Sequence, residues 1–138
     1  MPSYPIARLD GLDQEEAAKL RAAGIRTCHA LLARAATPKA RRQLSERCGL
    51  DECAILRWAR IADLTRVPGV ARDYAELLEA AGVGTVRDLR RRNAGRLAKE
   101  LIKVNGQKRL VRLPPGETRV RAWIAAAQTI EPVLAYRG

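Results

Sequence analysis

Apolar residues recur at spacings of three and four along most of this chain, with polar residues between them. Ala17 and Leu20 form one stripe, Ala40, Leu44 and Cys48 a second, and Ile55, Trp58, Ala59 and Ala62 a third. Farther on come Tyr74, Leu77, Leu78 and Ala81, then Leu97, Leu101 and Val104, then Val120, Trp123, Ile124 and Ala127. That period places one apolar face on each of a series of helices. Start signals accompany the stripes. Asp13 and Glu16 have capping-box spacing, in which each side chain takes a backbone N–H that the helix leaves without a partner. Thr27, Thr85 and Asn93 are placed as N-caps, Asp51 can cap another helix, and Thr37 precedes a proline at the first helical position, where a missing N–H is harmless. No strand is predicted: Leu110–Leu113 is too short to pair alone and runs into Pro114 and Pro115.

The pattern repeats. Laid over 67–94, the stretch 9–36 sets Gly11 on Gly69, Ala17 on Ala75 and Leu20 on Leu78, with no gap. It also sets Ala22-Ala23-Gly24 on Ala80-Ala81-Gly82, Ile25 on Val83, Thr27 on Thr85 and Leu31 on Leu89. Ile55, Trp58 and Ala62 match Val120, Trp123 and Ala127 at a larger offset, so the second copy carries seven extra residues, placed near 105–115. Self-similarity at a fixed offset signals a duplicated unit. The expected fold is all-α: two tandem helix-hairpin-helix repeats of about four short helices each. Residues 4–63 form the first repeat, 64–130 the second and 131–138 a C-terminal tail. No Gly/Ser-rich linker separates the copies, so they are expected to pack as one compact body. Gly24 and Gly82 stand where a helix should stop, with Ile25 and Val83 free to fold back on it.

Charge is unevenly shared. The formal net charge is +11, with +3 in residues 1–63 and +8 in 64–138. Ten of the basic residues fall within 87–112, against only Asp88 and Glu100. Such an excess draws polyanions and says nothing about fold. Arg87, Arg90 and Arg91 have the spacing of one helix face, as do Arg96, Lys99 and Lys103 on the next, with Lys108, Arg109 and Arg112 in the extra loop. Both tryptophans match under the repeat and are expected in the core. Few aromatics then remain to stack on bases, which favours contact with a duplex backbone over single strands.

The segment Val67-Pro68-Gly69-Val70-Ala71, followed by Tyr74-Ala75 and Leu78, resembles the helix-hairpin-helix motif. There a short hairpin with a Gly-hydrophobic-Gly core leads into a helix whose free N–H groups meet a DNA phosphate. The second glycine of the motif is Ala71 here and Asp13 in the first copy. Alanine is a mild change, whereas Asp13 would set a carboxylate beside an incoming phosphate. The second copy is therefore the better phosphate binder, with Arg72 next to the turn. From about Tyr4 to Gln128 the chain also resembles a bacterial family of tandem helix-hairpin-helix proteins that carries a domain-of-unknown-function label. The residues that carry this likeness include Tyr4-Pro5-Ile6, 19–27, 74–83, Val104-Asn105, 109–112 and Trp123-Ile124-Ala125. The resemblance implies the fold and no activity. The turn 23–27 is similar to one in the C-terminal domain of the bacterial RNA polymerase alpha subunit, a related fold that binds both DNA and proteins.

Catalytic chemistry is not expected. One histidine, His29, cannot supply the two poised groups of most acid–base sites, and a surface place in a helix's first turn is expected for it. Cys28, Cys48 and Cys53 lack the paired short spacings of a zinc site, and no phosphate-loop or dinucleotide pattern appears. No cofactor or metal is expected. No stretch has the length of a membrane span, and three cysteines without a secretory pattern point to reduced thiols in the cytoplasm. Two functional readings follow. One is a non-catalytic module that binds nucleic acid, duplex DNA backbone with weak sequence preference, through Gly69, Val70, Ala71, Arg72, Arg87, Arg90, Arg91, Lys103, Lys108, Arg109 and Arg112. The other is a protein-interaction or scaffold module that uses the repeats as adaptors.

Overall fold

Helix starts fall on the side chains suited to cap them. In a computed structural model that describes residues 5, 6 and 12–135, eight helices make up the regular structure of the described residues. These are α1 (Gln14–Ala22), α2 (Cys28–Arg34), α3 (Pro38–Cys48), α4 (Glu52–Leu64), α5 (Arg72–Ala80), α6 (Val86–Arg90), α7 (Ala94–Lys108) and α8 (Glu117–Ala127). Asp13 and Glu16 form the reciprocal capping box before α1. Thr27, Thr37, Thr85 and Asn93 each accept an N–H from the first turn of α2, α3, α6 and α7. Asp88 turns back to the N–H of Gly84 at 3.2 Å while its own N–H donates to Thr85 Oγ1. Asp51 makes only a long bond, 3.4 Å, to the N–H of Cys53.

The chain divides into two compact units, Met1–Asp63 with Val133–Gly138, and Leu64–Pro132. In the first, residues 133–135 return to it, and the N–H of Ala135 donates to the carbonyl of Ala36 at 2.8 Å. Residues 133–135 are therefore built into that unit and are not a free tail. Leu20, Ile25, Leu31 and Ile55 are fully enclosed, with Trp58 1% exposed. His29 lies in the first turn of α2 but is half-buried, not on the open surface. In the second unit α8 packs against α6 and α7, and α5 against α7. Its core holds Leu77, Leu78, Val83, Leu89, Leu101, Val120 and Trp123, the last 2% exposed.

Positions that match under the sequence repeat adopt matching backbone geometry. Asp13 and Ala71, the caps of α1 and α5, both have φ −80° and ψ 175°, and Ala23 and Ala81 at the far ends both have φ −87° and ψ 5°. Gly24 and Gly82 follow at φ +87° and +91°, left-handed values that a Cβ disfavours. Ile25 N–H then reaches back to Leu20 O, and Val83 N–H to Leu78 O, both at 2.9 Å. This bond, six residues to one, closes each helix with the apolar residue buried on it. The lengths diverge later. Three residues (49–51) join α3 to α4, whereas eight (109–116) join α7 to α8.

Candidate nucleic-acid interface

The turn before α5 begins as α4 ends. Val67 N–H donates to Leu64 O at 3.1 Å and Val70 N–H to Val67 O at 3.0 Å. Those bonds set Pro68 and Gly69 at an exposed tip and bury Val70 beneath it. Gly69 has φ +86°, and a Cβ built there would come within 3.2 Å of Trp123 Nε1. Glycine is thus favoured twice over at this position, by conformation and by the indole close to it.

The start of α5 differs from that of α1 in one respect. Asp13 accepts the N–H of Glu16, three residues into its helix, at 2.7 Å. Ala71 has no oxygen to offer, and no side chain caps α5. A helix start concentrates unpartnered N–H groups and the positive end of the dipole. In α1 the chain's own carboxylate is placed there, and in α5 the position is left open beside an exposed glycine tip.

Arg72 does not contribute as its place in the sequence implies. Its Nε and one terminal nitrogen lie 3.2 and 2.9 Å from Asp73 Oδ1, and its Nε is 3.8 Å from Glu76 Oε1. Its charge is largely matched by those two carboxylates. The cation that does reach the start of α5 is Arg119, which meets Tyr74 in its first turn and which sequence reasoning missed. Its guanidinium carbon stands 5.6 Å from the centre of the Tyr74 ring, and its Nη1 donates to the Tyr74 hydroxyl at 2.8 Å. The Tyr74 ring in turn lies 5.3 Å from that of Trp123. The missed signal is that Arg119 precedes Trp123 by four residues and so shares its helix face.

The expected shared face of Arg87, Arg90 and Arg91 does not form. Helix α6 has only five residues, and Arg90 turns onto the end of α8. Its Nε donates to Ala127 O at 2.6 Å, one terminal nitrogen donates to Gln128 O at 3.3 Å and to Ile130 O, and Gln128 Nε2 returns a bond to Arg90 O. A guanidinium suits a helix C-terminus because the last carbonyls are unpartnered and carry the negative end of the dipole. Arg90 is therefore a packing residue and is withdrawn from the candidate interface.

The other cations remain on the surface. Arg87, Arg91, Lys103, Lys108, Arg109 and Arg112 are exposed, and among the described residues no side-chain hydrogen bond or ion pair holds them or joins them to the turn before α5. Arg96, Lys99 and Lys103 all lie on the exposed side of α7, opposite buried Leu97, Leu101 and Val104. Arg109 ends α7 in the left-handed conformation, φ 52°. Behind it buried Asn105 clasps Val111 by two bonds of 3.0 Å, accepting its N–H and donating to its carbonyl. That clasp fixes the start of the loop carrying Arg109 and Arg112. Glu117, where the loop ends, sets Oε1 where a Cβ on Gly95 would be only 2.6 Å away. Helix α7 is about 22 Å long at 1.5 Å per residue, a distance that the eight residues 109–116 cover with bends at 111–113.

The first-copy hairpin at Gly11 lies outside the described residues. Among those described, no three of His, Cys, Asp and Glu gather as a metal would require, and no helix is long and apolar enough to cross a membrane.

No curated protein and no solved structure matches this chain. A family model does, over residues 10–130, a span that takes in every described helix. The chain belongs to the family described as domain of unknown function DUF4332.

Proposed function

We propose that the protein is a non-catalytic nucleic-acid-binding module that grips the phosphate backbone of duplex DNA with the turn before α5. The observation that carries this reading is the contrast between two equivalent helix starts. Asp13 caps α1 with its own carboxylate, whereas Ala71 leaves α5 open next to Gly69. Arg119 stands at the same turn on Tyr74 and supplies a guanidinium for the phosphate or its neighbour. Lys103, Lys108, Arg109, Arg112 and Arg87 add long-range attraction from the same unit. Contacts of this kind fix position and carry little base information. Aromatic stacking on single strands is disfavoured, since Trp123 is buried and Tyr74 already packs between it and Arg119.

The test is a fluorescence-anisotropy titration of duplex DNA at a series of salt concentrations. About four phosphates neutralised give a log–log slope near −3.6, from roughly −0.9 for each. Micromolar binding with such a slope, weakened several-fold in Arg119→Ala, supports the reading. Absence of duplex binding at low salt refutes it. A protein-interaction role is the second reading, favoured by Leu113, 75% exposed in the 109–116 loop, and Ile102, 55% exposed on α7. Retention of one specific protein after nuclease treatment, without duplex binding, would select it.

A further inference from the structure

At the far end of α5 from the open turn lies a cleft of about 490 Å³, walled by Arg91, Arg92 and Arg96 with Asn93, Leu97 and Glu100. Ala81, which ends α5, also borders it. Its size is within the roughly 300–1,000 Å³ range of small-molecule sites. Its lining is unlike theirs, because three guanidinium groups face one carboxylate.

The earlier half of the chain offers an internal control. Arg34 and Arg92 occupy matching positions of the sequence repeat and bond neighbouring carbonyls of the same turn: Arg34 Nη1 donates to Ala23 O at 3.3 Å, and Arg92 Nη2 to Gly82 O, one position farther on, at 3.0 Å. Each arginine clasps the turn that closes the preceding helix, so this shared residue is explained by folding. Arg91 and Arg96 are not shared, since the matching positions in the earlier half are Ala33 and Pro38. Ala33 and Arg34 border a smaller cleft there, about 270 Å³, in which the added cation is Arg47. Arg91 and Arg96 are exposed, and among the described residues neither side chain is engaged in a hydrogen bond or ion pair. No feature of the fold accounts for lining one cleft with two further unengaged guanidiniums. A bound anion does account for it.

The helix start at α7 is capped. Asn93 Oδ1 already accepts the N–H of Arg96 at 3.0 Å, and Glu117 approaches Gly95 closely. The side chains carry the charge.

We infer that Arg91 and Arg96, backed by Arg92, form a binding site for a phosphate group, distinct from the open turn of α5. Two planar guanidiniums can each offer paired N–H donors to phosphate oxygens, a geometry that lysine does not reproduce. Glu100, four residues after Arg96, is the one acidic group in the lining. The phosphate can belong to a nucleic-acid strand or to a free phosphorylated small molecule.

Amide NMR of the full chain, titrated with inorganic pyrophosphate, tests the site directly. The expected result is saturable shifts concentrated in residues 91–97 and at Gly82, weakened about tenfold or more in Arg91→Ala/Arg96→Ala. Both side chains are exposed, so the double variant should keep its helix content by circular dichroism, and Arg92 is left in place to hold Gly82. With the shifts present, a duplex affinity that falls about tenfold in the double variant assigns the site to strand phosphates. An unchanged duplex affinity assigns it to a small molecule. Absence of shifts in the native protein, or shifts that survive in the double variant, overturns the site. Failure of duplex binding with the pyrophosphate shifts intact refutes the DNA reading alone and leaves this site standing.

Discussion

Arg90 Nε lies 2.6 Å from the carbonyl oxygen of Ala127. That contact, with the bonds to Gln128 and Ile130, makes a cation from the most basic stretch of the sequence the clasp that holds α6 to the end of α8. Charge-assisted bonds of this kind contribute about 1.5–3 kcal/mol each when buried, and less at a part-exposed site. Arg90→Ala should therefore lower unfolding free energy by about 1–2 kcal/mol in urea titration. Its duplex affinity, measured where the variant is folded, should stay within about twofold of native. A loss of affinity equal to that of Arg119→Ala would return Arg90 to the interface.

Replacing Ala71 by Asp should move stability and binding in opposite directions. The backbone at 71 already has the angles of Asp13, so the new carboxylate can accept the Tyr74 N–H as Asp13 accepts that of Glu16. An N-cap of this type is worth about 0.5–1.5 kcal/mol relative to alanine. The same carboxylate occupies the proposed phosphate position, and duplex binding should fall about tenfold through like-charge repulsion. Ala71→Asp with undiminished affinity would show that DNA is not held at this turn.

Two glycines of the second unit should respond in opposite senses to alanine. At Gly69, φ +86° and Trp123 Nε1 at 3.2 Å both oppose a Cβ. Left-handed backbone alone costs about 1–2 kcal/mol for a residue with a Cβ, so Gly69→Ala should destabilise by at least that much. Gly106 is exposed inside α7, and an added Cβ there meets nothing within 4 Å. Gly106→Ala should stabilise by roughly 0.5–1 kcal/mol, the helix propensity difference. Thermal unfolding of the pair is the measurement, and a stabilised Gly69→Ala would mean the turn is built otherwise.

Arg109 ends α7 at φ 52°, where glycine is the usual residue. Arg109→Gly removes left-handed strain of about 1–2 kcal/mol and adds unfolded-chain entropy of about 0.5–1 kcal/mol. The net should be a gain near 0.5–1 kcal/mol in urea titration. If the side chain contributes to duplex attraction, the salt slope should become shallower by about 0.9. A stabilised variant with an unchanged slope would place Arg109 outside the interface.

Local chemistry is enough to read much of this protein from its residues. The N-cap role of Thr27, Thr37, Thr85 and Asn93, the Asp13–Glu16 box and the turns at Gly24 and Gly82 each depend on two to six neighbouring residues. Backbone hydrogen bonding at a helix end involves nothing farther away. Most of the buried positions, including both tryptophans, follow from the helical period, although in α3 Arg41 is buried with Leu44 while Ala40 and Cys48 are part-exposed. The open start of α5 was legible as well, because alanine cannot cap a helix whatever surrounds it.

What the tertiary structure alone decided is the use of each arginine. Arg90, Arg91 and Arg92 are consecutive and chemically identical, yet one clasps Ala127, one is unengaged at a cleft and one holds Gly82. Arg119 reaches Tyr74, in the first turn of α5, from 45 positions away, whereas adjacent Arg72 is matched by Asp73 and Glu76. A guanidinium sits on a long, flexible stem and binds whichever carbonyl, carboxylate or ring the packed helices bring within reach. Those partners come from distant segments, so no spacing along the chain encodes them, while a helix cap lies within one turn of what it caps.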